Sequence, residues 1–249
     1  MALYDLSKKI VWRVLSVKAA HRLEPVFRGF LRLWYAGRTC CCPCCRANLR
    51  RFLEDGELCP ACGAGRRQRL QWLYLERAGD FFNQNYPVLD IAPLRSFQRY
   101  CLSRTQLRYI SIDLARPWAL VRADITAIPY SDGTFYVILC SHVLEHIPED
   151  RAAIREIYRL LAPTGFALIQ VPISGDETRE DLTITDPEER RRLYGQEDHV
   201  RSYGRDFSRR LSEVGLRAEV VPCAQQFNRA EWLRYGLDAE ELLFVCHKE

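Results

Sequence analysis

Seven of the eleven cysteines fall between residues 39 and 80. Cys42-Pro-Cys-Cys45 and Cys59-Pro-Ala-Cys62 are two CxxC knuckles, each with proline after its first cysteine. A two-residue gap lets a tight turn aim two sulfurs at one ion, and two such turns complete a tetrahedral thiolate site of the zinc type. The interval Arg46 to Leu58 is 13 residues, normal for a zinc ribbon or knuckle. Four thiolates leave no open position, so the expected zinc is structural, on Cys42, Cys45, Cys59 and Cys62. Cys41-x-x-Cys44 is an alternative first knuckle with the same spacing.

A second reactive cluster is His142-Val-Leu-Glu-His146, which has the H-x-x-E-H spacing of one zinc protease class. That chemistry needs a further ligand. The preferred reading is that Glu145 and His146 orient their loop or cap the helix that follows. A third cluster lies in GQEDHVRSYGRDF, after the long polar stretch DETREDLTITDPEERRR. There His199 is a candidate base for deprotonating a hydroxyl, with His142 as the other candidate. Asp198 is expected to orient, Arg201 to clamp an anion and Tyr203 to hydrogen-bond a substrate. The competing reading is a surface loop whose charges pair with each other.

These groups need a scaffold. Strand patterns occur at Pro87–Ile91, Arg108–Asp113, Leu120–Asp124, Phe135–Cys140, Phe166–Val171, Arg217–Val221 and Leu242–Cys246. Helical patterns lie between them, most clearly at 151–161 and 206–214. The alternation predicts an α/β, doubly wound, mostly parallel seven-stranded sheet over 81–249. In such sheets ligands bind at the carboxyl ends of strands. Three of those ends carry Asp90, Asp113 and Asp124, and a fourth carries Cys140-Ser141-His142. An acidic residue about 20 positions beyond the first turn commonly meets ribose hydroxyls, and Asp113 follows Asp90 by 23.

The run ADITAIPYSDGTFYVILCSHVLEHIPEDRAAIREIYRLLAPTGF, with VLDIAP before it, resembles the class I S-adenosylmethionine-dependent methyltransferases, small-molecule branch with an LEH-type loop. The resemblance covers about residues 86–172 and implies a Rossmann-like sheet. It implies that Asp90, Ile91, Ala92 and Pro93 form the turn at the methionine side of the cofactor and that Asp113 accepts the ribose. It places Asp124 and Ile125 beside adenine, and Cys140 and Ser141 along the cofactor. The sequence departs from the family pattern where Ala92 and Pro93 replace glycines. The implied reaction is methyl transfer to an O or N atom of a small molecule, sugar or lipid-linked glycan. The alternatives are an RNA base methyltransferase guided by the zinc module, and a scaffold that binds the cofactor without turnover.

Charge is unevenly distributed. Residues 1–80 hold 15 Lys/Arg against 7 Asp/Glu, a balance of +8, and the remainder carries −4. An anionic partner is therefore expected at the N-terminal third. Leu3, Leu6, Ile10, Val14 and Val17 predict one short amphipathic helix, and Phe27, Phe30, Leu31 and Trp34 a second after Pro25. Residues 1–38 thus read as a basic arm, either touching an anionic membrane surface or docked on the main domain. Residues 39–80 read as the zinc module. No apolar run reaches the ~20 residues of a membrane span, and no leader pattern is visible. A cytoplasmic chain is the expectation, with the arm docked on the main domain as the favoured reading and peripheral membrane contact as the alternative.

Overall fold

A computed structural model describes residues 17–78, 81–104 and 106–249 of the chain, with the side chains of 17–22, 104 and 224 left aside. The stripe from Leu3 to Val17 lies outside the described side chains. In chain order the elements begin with α1 (Val17–Trp34), β1 (Ala36–Cys41), β2 (Asn48–Leu49) and α2 (Arg66–Arg77). Next come β3 (Pro87–Ile91), α3 (Arg95–Arg104), β4 (Arg108–Asp113), β5 (Val121–Arg122) and β6 (Phe135–Ser141). Then follow α4 (Asp150–Leu160), β7 (Leu161–Gln170), β8 (Arg179–Glu180), α5 (Pro187–Tyr194) and β9 (Arg201–Ser202). The chain closes with α6 (Phe207–Ser212), β10 (Leu216–Pro222), α7 (Cys223–Gln226), α8 (Arg229–Tyr235) and β11 (Leu242–Lys248).

Contacts divide the chain into two units. One is Met1–Arg77 with Phe227–Ala239; the other is Ala78–Gln226 with Glu240–Glu249. The structure thus differs from the expected single stretch 81–249, because α8 belongs with the N-terminal unit. The cause is Arg69, fully buried, whose guanidinium donates to the carbonyls of Tyr235 (2.7 Å) and Gly236 (2.7 Å). The same group also donates to Ala64 at 3.0 Å and Gly56, and lies 4.0 Å over the Phe52 ring. A buried guanidinium needs most of its donors satisfied, and carbonyls nearby in sequence and from the distant 235–236 segment do so together here.

Within this unit α1 runs unbroken through Pro25, so the helix expected after that proline already includes residues 17–24, while the first expected helix lies outside the described residues. A proline removes one backbone donor and kinks a helix without necessarily ending it. Leu23, Val26, Phe30, Leu33 and Trp34 are each at least half exposed along it. No helix of the described residues is long and apolar enough to cross a membrane.

The second unit holds the seven-stranded sheet, in the order β10-β11-β7-β6-β3-β4-β5. β7, β6, β3, β4 and β5 are mutually parallel, while β11 pairs antiparallel with both β7 and β10. β3 and β6 read as near-continuous apolar runs because both faces of a central parallel strand are covered. α4 supplies one cover. Its Ala153, Ile154, Ile157 and Leu160 are fully buried at helical spacing. Burying each large aliphatic side chain contributes roughly 1.5–3 kcal/mol. Winding proceeds outward from β3 to β5, then returns to the opposite side of β3 at β6. The carboxyl ends of β3 and β6 therefore flank the switch point, where open α/β sheets bind ligands.

Candidate functional site

Asp90 is the penultimate residue of β3 and is only 7% exposed. Burial pushes its carboxyl up to about 7, against the opposing pull of Tyr109 and Arg116. The Tyr109 hydroxyl donates to Asp90 Oδ2. After Ile91, which is buried, the chain turns at Ala92 with φ +54°. This is the left-handed region that glycine adopts freely and alanine reaches at a cost of about 1–2 kcal/mol. The turn thus keeps the glycine-type path without the glycine. The Ala92 amide donates to Ile112 O at 2.8 Å, and Arg116 holds the Ala92 and Pro93 carbonyls at 2.8 and 2.9 Å.

Asp113 closes β4. Its Oδ1 accepts the amides of Ala115 and Arg116 at 2.7 and 2.8 Å, and Oδ2 lies 3.5 Å from Arg116 Nε. Asp124 lies two residues beyond β5 and is exposed, with Oδ1 taken by the backbone and hydroxyl of Thr126 at 2.8 Å each. The Thr126 amide chiefly holds its pKa low. Two expectations require correction. Ile125 is 5% exposed and packs in the core, so little of its side chain is left to meet an adenine. Cys140 is fully buried, with burial raising its thiol pKa well up, so only its backbone can line a site. A side chain one position earlier than the strand end points into the pleat's covered face, which is why the pair Cys140-Ser141 splits.

Ser141 Oγ donates to Gln170 Oε1 at 3.3 Å, and Gln170 Nε2 donates to Glu241 Oε1 at 3.1 Å. His142, at φ +53°, places Nε2 3.6 Å from the same Glu241 oxygen and Nδ1 3.0 Å from Glu145 Oε1. This polar chain joins the ends of β6 and β7 to the start of β11. Gln170 and Glu241 were not anticipated. The available signal was a glutamine ending an otherwise apolar strand, fully buried here.

The loop of residues 194–203 folds onto the turn Leu144–His146. The Val200 amide donates to Glu145 O at 2.9 Å. Arg201 is fully buried, donating to Leu144 O (2.9 Å), Ile147 O, Pro148 O (2.8 Å) and Glu180 (2.9 Å). It clamps the protein's own backbone, which corrects the expected anion clamp. Tyr203 is likewise fully buried and donates to Asp150 Oδ2 at 2.6 Å, so it is not placed to bind a substrate. Arg210 joins them, at 2.7 Å from Asp150 and 2.8 Å from Glu180. Asp198 pairs with His146 Nδ1 at 3.2 Å rather than with His199. His199 is 4% exposed, with Nδ1 on Tyr194 O at 2.9 Å. Glu145 does not cap α4, whose first turn has no side-chain cap.

In the N-terminal unit the sulfurs of Cys42, Cys45, Cys59 and Cys62 lie within 4.8 Å of one another, all buried. The Cys42–Cys62 and Cys45–Cys59 separations are 3.7 and 3.9 Å. A tetrahedral zinc with bonds of about 2.3 Å sets sulfurs about 3.8 Å apart, so the donor set fits that ion. The two knuckles share one backbone pattern. Cys42 and Cys59 amides donate to Ala47 and Ala64 carbonyls at 3.0 Å, and Arg46 and Gly63 amides return to Cys42 and Cys59 at 2.8 Å. Cys44 Sγ instead faces Gln68 O at 3.9 Å, and Cys41 stands outside the four. A groove of about 630 Å³ in the same unit is lined by residues such as Phe52, Asp55, Trp232 and Leu233, and none of the expected site residues lines it.

Comparison with known proteins bears mainly on the second unit. Residues 61–169 match the family described as "Methyltransferase domain". Over that stretch, less than half of its length, the chain is similar to methyltransferase domains. Among curated relatives, a demethylmenaquinone methyltransferase of Chlamydia trachomatis is 33% identical over 82 residues, 33% of this chain and 34% of that protein. An uncharacterized methyltransferase of Mycobacterium sp. (strain KMS) is 30% identical over 107 residues, 36% of this chain and 42% of its own length. The chain thus spans well under half of the curated relatives it matches. A solved structure of Burkholderia thailandensis 1,6-didemethyltoxoflavin-N1-methyltransferase, with its substrate and S-adenosylhomocysteine, aligns with 18% identity and a TM-score of 0.49. That alignment covers 71% of this chain and 75% of that one. The methyltransferase domain match takes in Asp90, Asp113, Asp124, Ser141 and the Glu145–His146 turn.

Proposed function

We propose that the protein is a methyltransferase that transfers a methyl group from S-adenosylmethionine to an O or N atom of a small molecule, sugar or lipid-linked glycan. The observation that supports it is the row of carboxylates, Asp90, Asp113 and Asp124, at the ends of successive parallel strands inside the methyltransferase domain match. Bound S-adenosylmethionine supplies an electrophilic methyl on a sulfonium sulfur; the acceptor's proton passes to a base or to water. The chain's own residues orient and exclude water. Asp113 keeps Oδ2 clear of backbone donors and suits a ribose diol, because a carboxylate accepts from two hydroxyls at once. Asp90 suits a cationic group, since ionising it in a buried place calls for a neighbouring positive charge. The left-handed turn at Ala92 lets the backbone approach a ligand closely.

The four-cysteine group is proposed as a structural zinc site, on the fit of its sulfur spacing. The RNA reading loses support from Arg69 and Arg66. Arg69 is spent on backbone carbonyls, and Arg66 pairs with Asp238 at 3.0 Å. Calorimetric titration of the full chain with S-adenosylmethionine tests the proposal. Micromolar binding is expected, and Asp113→Ala should weaken it by about 1–3 kcal/mol. Absence of heat and of any thermal shift refutes the reading.

A further inference from the structure

Glu145, His146 and His199 each offer one ligand atom, and these atoms lie within 4.8 Å of one another. The first two belong to the turn after β6; the third comes from 53 residues later in the chain. In each residue the second polar atom is already held. His146 Nδ1 faces Asp198 Oδ2 at 3.2 Å, and His199 Nδ1 donates to Tyr194 O at 2.9 Å. Both rings therefore keep Nε2 as the acceptor nitrogen. Glu145 Oε1 takes His142 Nδ1 at 3.0 Å, while its Oε2 is buried with no hydrogen-bond partner. An orphan carboxylate oxygen on a fully buried residue is costly unless something positive meets it. Histidines whose other nitrogen is held by a carboxylate or a carbonyl are the usual form of a metal ligand.

The frame is built in advance. Arg201 binds three carbonyls of residues 144–148, and the Val200 amide binds Glu145 O, so the two segments cannot drift apart. The His146 and His199 rings meet edge-on at 4.8 Å. Donors on a tetrahedral ion stand about 3.3 Å apart, so a set already within 4.8 Å needs to close by at most about 1.5 Å to hold one. Two imidazoles and a carboxylate suit a divalent first-row transition ion, and three protein ligands leave positions open.

We propose that Glu145, His146 and His199 bind one divalent transition-metal ion, distinct from the four-cysteine site, whose open positions take a hydroxyl oxygen of the methyl acceptor. The acceptor half rests on the methyltransferase reading; the ion site does not. Coordination would ease loss of the hydroxyl proton to solvent water, so His199 serves as a ligand instead of a base. The acceptor is then an oxygen nucleophile, best a vicinal diol or catechol that chelates.

The test is titration of the full-length, zinc-loaded protein with Mn²⁺, following free Mn²⁺ by electron paramagnetic resonance. Manganese is a poor ligand partner for thiolates, so the four-cysteine group does not compete. One bound ion per chain is expected. Glu145→Gln and His199→Asn should each weaken binding at least tenfold. Asp198→Asn, at a mostly exposed position that leaves the core intact, should weaken it about tenfold. No Mn²⁺ bound by the natural chain, or equal binding by all three variants with unchanged melting temperatures, overturns the site. Catechol added to the Mn²⁺-loaded protein should lower water proton relaxivity by displacing bound water; an unchanged relaxivity at saturation overturns the acceptor half. Mn²⁺ binding without S-adenosylmethionine binding would leave the ion site standing while the methyltransferase reading falls.

Discussion

Replacing Asp90 by asparagine gives the sharpest check on the strand-end chemistry. Burial pushes the folded Asp90 carboxyl up to about 7, whereas in the unfolded chain it returns to the usual 3.8. The folded state therefore holds the proton more tightly than the unfolded one. Its contribution is fully present below pH 3.8 and is lost as pH rises through 7. At about 1.4 kcal/mol per unit, the whole loss is roughly 4 kcal/mol, of which about 2.5 falls between pH 5 and pH 8. An asparagine side chain cannot titrate, so the variant lacks this slope. Urea unfolding of both proteins without cofactor, at fixed salt across that range, isolates it, since other groups titrate alike in each. Asp90→Asn should gain about 2–3 kcal/mol on the natural protein as pH rises, offset by a constant of about 1 kcal/mol for the altered Tyr109 bond. S-adenosylmethionine should show the opposite trend, binding the natural protein more tightly above pH 7 and the variant with no such rise. A stability difference flat from pH 5 to 8 would refute the buried, proton-holding Asp90.

Ala92→Gly removes a left-handed strain of about 1–2 kcal/mol but adds unfolded-chain freedom worth about 0.4–1, so a net gain near 0.5 kcal/mol is expected by denaturant unfolding. A loss above 1 kcal/mol would contradict the turn geometry. Cys59→Ser should abolish bound zinc by elemental analysis, whereas Cys41→Ser should retain it, because only the former belongs to the close sulfur set. The exposed apolar residues of α1 predict co-sedimentation with anionic phospholipid vesicles, reduced at least fivefold by Phe30→Asp with Trp34→Asp. Equal sedimentation would leave the arm without a membrane role.

Local pattern was sufficient for much of this protein. Alternation and apolar runs located all seven strands of the sheet, because a central parallel strand must be apolar along its length to be covered on both faces. The CxxC spacing named the four sulfurs that converge, since two short turns need only their own backbone to aim a thiolate pair. What spacing could not decide was the direction of a side chain or the identity of a distant partner. Cys140 and Ser141 are neighbours in sequence, yet the pleat buries the first and leaves the second at the polar network. Arg201 and Tyr203 read as ligand-binding groups, yet the core claimed them, since a fold has few buried donors to satisfy Asp150 and the 144–148 carbonyls. Residues 227–239 join the N-terminal unit, where Arg69 adds the Tyr235 and Gly236 carbonyls to those its own neighbourhood supplies. His199 joined Glu145 and His146 only when a loop 53 residues along the chain closed onto their turn. Sequence determined which elements form and which local turns can bind. Tertiary closure decided which polar groups are spent on the fold and which are left facing a site.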